Sequence, residues 1–381
     1  MKIQKLEFGD RARSWYLEEI EFSPHLNLLV GVSGAGKTKI ISSILYLKEI
    51  VNGKSFNGMY WDVTFLTKDN ISYRWQGEFE TVKGLRIRRN DSDEEYKLKI
   101  ISEHISKDKQ IIIERDSEKI IFKGSQIPKL SPFQSIVELF NQEEDISPVK
   151  DEFNKIITNS DKSFENLLKI PTHILEKYQN CSLNDLKESN ISIFMKFCLA
   201  YQFLPETFNK IKDTFVELFH TVEDIKIGHQ FINYGLSEPP IDSLLGGSIV
   251  YIKERGVERW IKPNTISSGM LKTLMYISEF YLSPEGSVIL IDEFENSLGV
   301  NCLDSVTDLI LENPRLQFII TSHHPYIINN IGNKYWKIVT RQGNTVTVKE
   351  PKELGLAQST HQGFIDLINF LEELSEEGEA E

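Results

Sequence analysis

The amino-acid sequence predicts an α/β protein whose core sheet is split between two distant parts of the chain. Near the start, an apolar strand at 26–30, a glycine-rich loop and a run with helical spacing at 39–47 follow one another. After residue 245, strand-like and helix-like segments alternate, which is typical of a parallel sheet covered by helices. The region between them shows first β and then helical patterns, so we expect it to be inserted into the core fold.

The remaining elements follow in chain order. Residues 3–22 alternate apolar and polar side chains and predict a β-hairpin, and short alternating runs from 62 to 123 predict an antiparallel β-subdomain. Helical spacing runs from 132 to 235, and a second hairpin is expected from 248–252 and 258–262. A helix at 270–281, a strand at 288–291, a helix at 302–311 and a strand at 316–320 complete the core. We therefore expect an N-terminal lobe (1–135), a helical insertion (136–245), a C-terminal lobe (246–345) and a C-terminal segment with an acidic tail (346–381).

The composition limits the class of protein. The chain has 381 residues, and 56 acidic against 43 basic side chains give a formal net charge of −13. This balance disfavours a protein that coats nucleic acid with its whole surface, because phosphate binding relies on clustered Lys and Arg. Three separated cysteines without a CxxC pattern argue against a zinc site or a disulfide framework. No apolar run is long enough for a membrane helix, so we expect a cytoplasmic protein without a membrane partner.

A phosphate-binding loop occupies residues 31–38, where Gly-Val-Ser-Gly-Ala-Gly-Lys-Thr matches GxxxxGK[ST] in full. The glycines let successive backbone N–H groups point inward, and the following helix adds the positive end of its dipole. Lys37 is expected to reach the β- and γ-phosphates, and the Thr38 hydroxyl to ligate Mg²⁺. The expected ATP-binding residues are Gly31, Ser33, Gly34, Ala35, Gly36, Lys37 and Thr38.

Two acids, Asp292 and Glu293, end the apolar strand at 288–291. A carboxylate at the carboxyl end of a strand faces the crevice where ligands bind in such sheets. We expect Asp292 to hold Mg²⁺ and Glu293 to act as the general base on the attacking water. Acids at such a position also cap helices, and it is the full phosphate loop that favours the catalytic interpretation.

Two adjacent histidines end the next apolar strand, in the segment Thr-Ser-His-His-Pro at 321–325. This strand is expected beside the acid-bearing strand, which places its end near the γ-phosphate. We expect His323 to be the catalytic sensor of that phosphate, and His324, next to a proline, to cap or pack.

Further motifs carry a family resemblance. Residues 266–272, Ile-Ser-Ser-Gly-Met-Leu-Lys, precede a helix and resemble the ABC signature. Its Ser-Ser-Gly form is that of SMC/RecF-like ATPases and their OLD- and PtuA-like relatives. Residues 292–298, Asp-Glu-Phe-Glu-Asn-Ser-Leu, resemble the joined Walker B and D-loop of that family. Over 1–60 and 245–345 the chain is thus similar to a P-loop NTPase of ABC type.

The resemblance implies a composite site. In this family two heads sandwich two ATP molecules, and the signature of one head contacts the γ-phosphate held by the other. Ser267 and Gly269 would then bind ATP in trans, within a homodimer or a higher homo-oligomer. The family also has a Q-loop glutamine that links Mg²⁺ to the inserted lobe. Gln134 is the best match and Gln126 the next, and an exposed turn glutamine is the competing interpretation.

Three further features of the sequence each allow two interpretations. The arginines at 86–89, and Arg11 with Arg13, form either solvated faces or a DNA contact. Trp15 or Tyr16 either stacks on adenine, as aromatics ahead of the loop do in relatives, or packs within the hairpin. The acidic tail is either solvated or a docking segment for a basic partner.

The expected function is an ATP-driven switch or sensor in a bacterial anti-phage defence complex. It would control a separately encoded effector such as a nuclease, because the sequence shows no second catalytic constellation. Only about 35 residues follow the last core strand, too few for another domain. The alternative is a RecF/SMC-like DNA-repair ATPase that binds DNA directly. A transporter subunit is disfavoured by the β-subdomain, the helical insertion and the form of the signature.

Overall fold

The computed structural model describes residues 1–83, 97–158, 164, 167–230, 247–296, 298, 300–357 and 359–379. The strands in this part of the chain are β1 (Lys2–Asp10), β2 (Trp15–Glu21), β3 (Leu26–Val30), β4 (Met59–Leu66), β5 (Ser72–Phe79), β6 (Ile100–Lys107), β7 (Gln110–Arg115), β8 (Ile120–Phe122), β9 (Ser125–Ile127), β10 (Ile156–Thr158), β11 (Val222–Gln230), β12 (Gly247–Glu254), β13 (Val288–Ile291), β14 (Gln317–Thr321), β15 (Trp336–Gln342) and β16 (Thr345–Lys349). The α-helices are α1 (Lys37–Ile50), α2 (Ile136–Leu139), α3 (Ser147–Asn154), α4 (Thr172–Tyr178), α5 (Leu183–Glu188), α6 (Ile193–Phe203), α7 (Pro205–Leu218), α8 (Ser268–Leu282), α9 (Val300–Leu311), α10 (Pro325–Asn330) and α11 (Thr360–Glu379). Within these described ranges, no helix combines the length and the apolar character needed to cross a membrane.

The chain folds into two compact units. Unit 1 comprises Met1–Asn159, Glu285–Phe294 and Arg315–Glu381, and unit 2 comprises Ser160–Pro284 and Glu295–Pro314. The chain therefore passes from unit 1 to unit 2 twice. The second passage lies between Phe294 and Glu295, shortly after the two acids that follow β13.

One continuous sheet organises unit 1. Over the described residues it has 14 strands in the order β10-β13-β14-β3-β15-β16-β2-β1-β4-β5-β6-β7-β8-β9. The five strands from β10 to β15 in this order are parallel, and the strands from β2 to β9 pair antiparallel. In β3, Leu28 lies opposite both Ile320 of β14 and Trp336 of β15. The predicted α/β class and the split core sheet are thus confirmed.

The antiparallel strands β4 to β9 form the predicted β-subdomain. At its centre, the fully buried Glu103 carboxylate accepts hydrogen bonds from Trp75 Nε1 at 2.9 Å, Arg115 Nη2 at 2.6 Å and Ser135 Oγ at 2.5 Å. It also accepts one from the backbone N–H of Ile136 at 2.8 Å. A buried charge is tolerated only when it is paired and hydrogen-bonded, so this network fastens the start of α2 to the sheet.

The helix α1 carries the end of the phosphate loop. Its buried residues Ile40, Ile44 and Leu47 recur at helical spacing and form the face that packs into the core of unit 1. In its last turn, Lys48 Nζ donates to the Ile156 carbonyl of β10 at 2.7 Å. The helix therefore joins the loop after β3 at one end and the outermost parallel strand at the other.

In the described part of 132–235, where the sequence predicts only helices, the structure has two strands. The first, β10, pairs in parallel with β13, with Ile156 opposite Val288. It has three residues, and so short an apolar run cannot be told from part of a helix by periodicity. The second, β11, lies in unit 2 and pairs with β12, which contains the first strand of the predicted second hairpin.

Unit 2 consists of helices around α8 and a two-stranded sheet. The helices α5, α6, α7 and α9 contact α8, whose residues from Leu271 to Leu282 are mostly buried. The strand β12 pairs along its length with β11, whereas the predicted partner segment at 258–262 contributes one bridge, between Ile252 and Ile261. The prediction of that hairpin was wrong, because β11 offers buried Ile225 and Ile227 as partners for β12.

Candidate functional site

The phosphate loop joins β3 to α1 at the carboxyl end of the parallel strands. Gly34 and Gly36 adopt positive φ angles of 82° and 110°, which other residues rarely take. A Cβ on Gly31 would lie 2.3 Å from the Val339 carbonyl oxygen, and one on Gly36 would lie 2.7 Å from Val346 Cγ2. The glycines therefore let the loop turn tightly and pack directly on β15 and β16. Of the other predicted loop residues, Ser33 is exposed and Ala35 is buried.

Lys37 is the first residue of α1 and folds back over the loop. Its Nζ donates to the carbonyl oxygens of Gly31 at 2.8 Å and Val32 at 3.0 Å, and the residue is 4% exposed. An ammonium held among the loop carbonyls is well placed to meet anionic oxygens that bind in the loop.

A chain of hydroxyls and a carboxylate connects α1, β13 and β14. Thr38 Oγ1 donates to Asp292 Oδ1 at 3.2 Å, and Thr321 Oγ1 donates to the same oxygen at 2.6 Å. The structure thus brings together two predicted Mg²⁺ ligands, Thr38 and Asp292. Hard oxygen ligands of this kind, few in number and beside a phosphate loop, fit Mg²⁺, which takes its other ligands from phosphates and water. No cluster of three or more His, Cys, Asp or Glu suited to a metal occurs among the residues that the structure describes.

The turn after β13 presents Glu293. This residue has a φ of 50°, in the left-handed region that costs a non-glycine residue about 1 kcal/mol or more. Its backbone N–H donates to Thr321 Oγ1 at 2.7 Å, and the N–H of buried Phe294 donates to the Thr321 carbonyl at 3.0 Å. The side chain of Glu293 is exposed. Thr321 therefore holds both acids in place, although the sequence analysis assigned it no role. Its position at the end of the strand next to β13 is the feature of the sequence that could have indicated this role.

The two histidines after β14 have different surroundings. His323 is exposed at the end of the strand, next to Ser322, whose N–H lies 3.4 Å from the Leu29 carbonyl of β3. His324 occupies the N-cap position of α10, with its N–H donating to Ser322 Oγ at 3.0 Å and its ring edge-on to Tyr326. His323 is therefore at the same end of the sheet as the phosphate loop, where its predicted role requires it.

The signature residues lie in unit 2, at the start of α8. Ser267 is its N-cap, and Ser267 Oγ accepts from the Met270 N–H at 3.2 Å. Ser267 and Ser268 are exposed, and Gly269 is partly exposed. In the D-loop, the Asn296 carbonyl accepts a hydrogen bond from Lys272 Nζ of the same helix. Position 297 of the D-loop and position 299, which follows it, lie outside the described residues.

Gln134 is not near the other predicted Mg²⁺ ligands. Its Nε2 is 3.5 Å from the position of a Cβ on Gly53, and its carbonyl accepts from Arg115 Nη2 at 2.9 Å. Gly53 follows the carboxyl end of α1, roughly 20 Å along the helix axis from Thr38 at 1.5 Å per residue. The prediction of Gln134 as a Mg²⁺ ligand was therefore wrong. Gln126 does not replace it, because β9 is the outermost strand of the β-subdomain.

A different segment lies beside the acids. The last residue of β10, Thr158, is exposed and pairs with Leu290, two residues before Asp292. The carboxyl end of β10 is thus the position from which a side chain could approach the acids of β13. No sequence motif marks this strand end, and residues 159–163 lie outside the described part.

The structure places three of the side chains for which the sequence allowed two interpretations, namely Trp15, Arg11 and Arg13. Trp15 is 6% exposed and packs in the hairpin core. Arg11 Nη1 pairs with Glu78 at 2.5 Å, and Arg13 Nη1 lies 3.5 Å from Asp10 Oδ2. The arginines at 86–89 lie outside the described residues.

Comparison with known proteins agrees with this geometry. A family model described as "AAA domain, putative AbiEii toxin, Type IV TA system" matches residues 26–329. No curated protein matches the chain. Solved SMC head structures are among those similar to it. A head bound to the C-winged helix domain of ScpA has 15% identity and a TM-score of 0.50, with 92% of this chain and 98% of that chain covered.

The head domain from Thermotoga maritima has 14% identity and a TM-score of 0.44, covering 92% and 99% of the two chains. A head with an extended coiled coil, bound to the C-terminal domain of ScpA derived from Pyrococcus furiosus, has 14% identity and a TM-score of 0.48, covering 93% and 98%. The first structure shows a shared fold with SMC heads. Because the family model spans the chain from β3 to α10, this protein belongs to the AAA_21 family of AAA domains and has the fold of an SMC-type ATPase head.

Proposed function

We propose that the chain binds ATP with Mg²⁺ and hydrolyses it. The observation that carries this proposal is the hydrogen-bonded cluster of Thr38, Asp292 and Thr321, which joins the phosphate loop to the acids of β13. Membership of the AAA_21 family supports nucleotide binding. Hydrolysis is inferred from Glu293, which stands exposed beside this cluster with its backbone fixed by Thr321.

Each residue has a proposed part in the reaction. Lys37 neutralises the β- and γ-phosphates, and the loop N–H groups orient them. When bound, Mg²⁺ neutralises phosphate charge, with Thr38 and Asp292 among its ligands. Glu293 removes the proton of the attacking water, and His323 contacts the γ-phosphate oxygens as they gain charge.

The variant Glu293→Gln tests hydrolysis. It keeps the size of the side chain but cannot accept the proton of water, so we expect phosphate release to fall to background while ATP binding is retained. Glu285→Gln is the matched control, because Glu285 is exposed and lies three residues before the opposite end of β13. Retained turnover in Glu293→Gln would remove Glu293 as the base.

We further propose that two copies close over two ATP molecules. Ser267 and Ser268 stand exposed at the amino end of the 15-residue α8, and such a helix end attracts phosphate. The Glu293→Gln protein should dimerise with ATP in analytical ultracentrifugation. Adding Ser267→Arg should abolish the dimer by bulk while leaving ATP bound to each monomer. A dimer that persists with Ser267→Arg would contradict a role for the signature in trans.

The proposed biological role is a nucleotide-dependent switch that controls a separately encoded effector, such as a nuclease, in bacterial anti-phage defence. The family description, which names a toxin and a type IV TA system, supports a place in a toxin–antitoxin or defence module. Expressed with its neighbouring genes, the chain should reduce phage plating, and Glu293→Gln should remove that protection. DNA cleavage by the purified chain alone would contradict a separate effector.

Direct DNA binding is the second candidate, and one surface favours it. In unit 2, Lys226 Nζ lies 4.1 Å from the Trp260 ring centroid and 5.7 Å from that of Tyr251. Arg255 and Arg259 are exposed in the adjoining loop. Cations among aromatic rings suit nucleic acid. An ATP-dependent, salt-sensitive DNA affinity that is lost in Arg255→Glu/Arg259→Glu would favour this candidate over the switch.

A further inference from the structure

The register of the sheet determines which side chains surround the phosphate loop. Leu17 of β2 lies opposite Val346 of β16, whose methyl group approaches Gly36. Paired residues share a face of the sheet and neighbours in a strand alternate, so Trp15 points to the same face as Leu17 and Tyr16 points away. This is the face that α1 covers, because Phe8, which is paired with Leu17, stacks on Tyr46 of α1. Tyr16 is therefore on the wrong face to meet a nucleotide in the loop.

Trp15 is on the correct face but its ring is covered. It is 6% exposed, and Lys39 Nζ, from the first turn of α1, lies 5.0 Å from its ring centroid. An aromatic ring stacks on a base only through a free face. Among the described residues, neither aromatic ahead of the loop offers such a face.

Positively charged side chains lie at the position where an aromatic ring would have to stack on the base. Lys39 covers Trp15, and Arg13 pairs with Asp10, which lies directly opposite Trp15. Arg341 of β15 pairs with Val346 and so shares its face beside Gly36. Lys39, Arg13 and Arg341, all exposed, form what we call the cationic rim.

The order of the strands indicates which part of a bound nucleotide the cationic rim would contact. The acids and Thr38 lie on the side of β13 and β14, whereas the rim lies on the side of β15, β2 and β1, with β3 and the loop between. A nucleotide whose γ-phosphate and Mg²⁺ lie at Asp292 must extend its α-phosphate and sugar across the loop, toward the rim.

We propose that the cationic rim binds the α-phosphate and sugar end of the nucleotide by charge, in place of aromatic stacking of the base, so that the site accepts purine and pyrimidine triphosphates alike. This inference rests on the proposed nucleotide site and deepens it. Charge recognises phosphate, which all nucleotides share, and a guanidinium stacks on any base. Neither contact reads the base edge.

Competition binding tests the inference. Labelled ATP bound to the Glu293→Gln protein is displaced with ATP, GTP, CTP or UTP, each with Mg²⁺. We expect the four dissociation constants to agree within roughly fivefold, because neither a charge contact to phosphate nor a guanidinium stacked on the base reads the base edge. Lys39→Met/Arg341→Met should weaken all four by a similar factor of about tenfold or more, since two charge-assisted contacts are lost. Both residues are exposed, so the double variant should fold.

Arg11→Met is the matched control. Its guanidinium belongs to the same turn but pairs with Glu78 and lies over the Tyr60 ring, so its loss should leave all four affinities unchanged. If the protein binds ATP more than about 100-fold more tightly than the other three nucleotides, and this binding is lost in Lys37→Ala, the inference is overturned while the proposed ATPase stands. Unchanged affinities in the rim variant would do the same. Failure of every nucleotide to bind would overturn both.

Discussion

Removing one hydroxyl, in Thr321→Val, tests whether Thr321 holds the two acids in their working positions. Its Oγ1 donates to Asp292 Oδ1 at 2.6 Å and accepts the Glu293 N–H at 2.7 Å. A hydrogen bond to a charged group contributes about 1.5–3 kcal/mol and a neutral one about 0.5–1.5 kcal/mol. Part of this energy keeps Glu293 in its left-handed conformation. If about 1.4–2.8 kcal/mol of it acts in the transition state, turnover falls about 10- to 100-fold.

Phosphate release under saturating ATP and Mg²⁺ measures this effect. Thr321→Ser keeps the hydroxyl and should retain most of the activity. Thr340→Val is the matched control, because Thr340 Oγ1 shares a 2.7 Å hydrogen bond with Thr347 in the same sheet but touches neither acid. A folded Thr321→Val protein whose turnover stays within about twofold of the parent would refute the reasoning.

Three further outcomes are expected. Lys37→Ala should lose ATP binding in equilibrium dialysis, because the ammonium that meets the phosphates is gone, and an unchanged affinity would contradict the loop assignment. Glu103→Ala leaves Arg115 buried without its carboxylate, so the free energy of unfolding in urea should fall by about 3–5 kcal/mol, unlike in a variant of an exposed glutamate. Lys352 and Lys337 lower the pKa of Glu350 from 4.5 to about 2, so its stabilising contribution, present above pH 4.5, is lost as the pH falls toward 2. Glu350→Gln should flatten the pH dependence of unfolding in that range, and an unaltered slope would contradict the ion pair.

Local patterns predicted much of this molecule. The phosphate loop with its flanking strand and helix, and the strand that ends in Asp292, are features of neighbouring residues, and they lie where the sequence indicated. Their roles follow from chemistry that needs those residue types at that spacing. Thr321 shows the limit of this reasoning, because a lone threonine gains meaning only when β14 is placed beside β13.

Long-range placement accounts for the errors. Gln134 matched a short motif, but its position depends on how the β-subdomain and α2 pack, which no local pattern encodes. The partner of β12 was misassigned because two segments with suitable apolar residues compete for it, and sequence separation does not decide between them. The cationic rim could not be predicted from the sequence for the same reason, because Arg341 and Lys39 are about 300 positions apart in the chain.

The position of β3 between β14 and β15 has a consequence for biosynthesis. The strand that leads into the phosphate loop is translated before both of its neighbours in the sheet, roughly 290 residues before β14 and roughly 310 residues before β15. On the ribosome, β1, β2 and β4 to β9 can pair locally as they emerge, whereas β3 must wait with its apolar side chains uncovered. A nascent chain therefore cannot complete the nucleotide site until β13, β14 and β15 have been made, and products truncated before β14 should be unable to hold ATP.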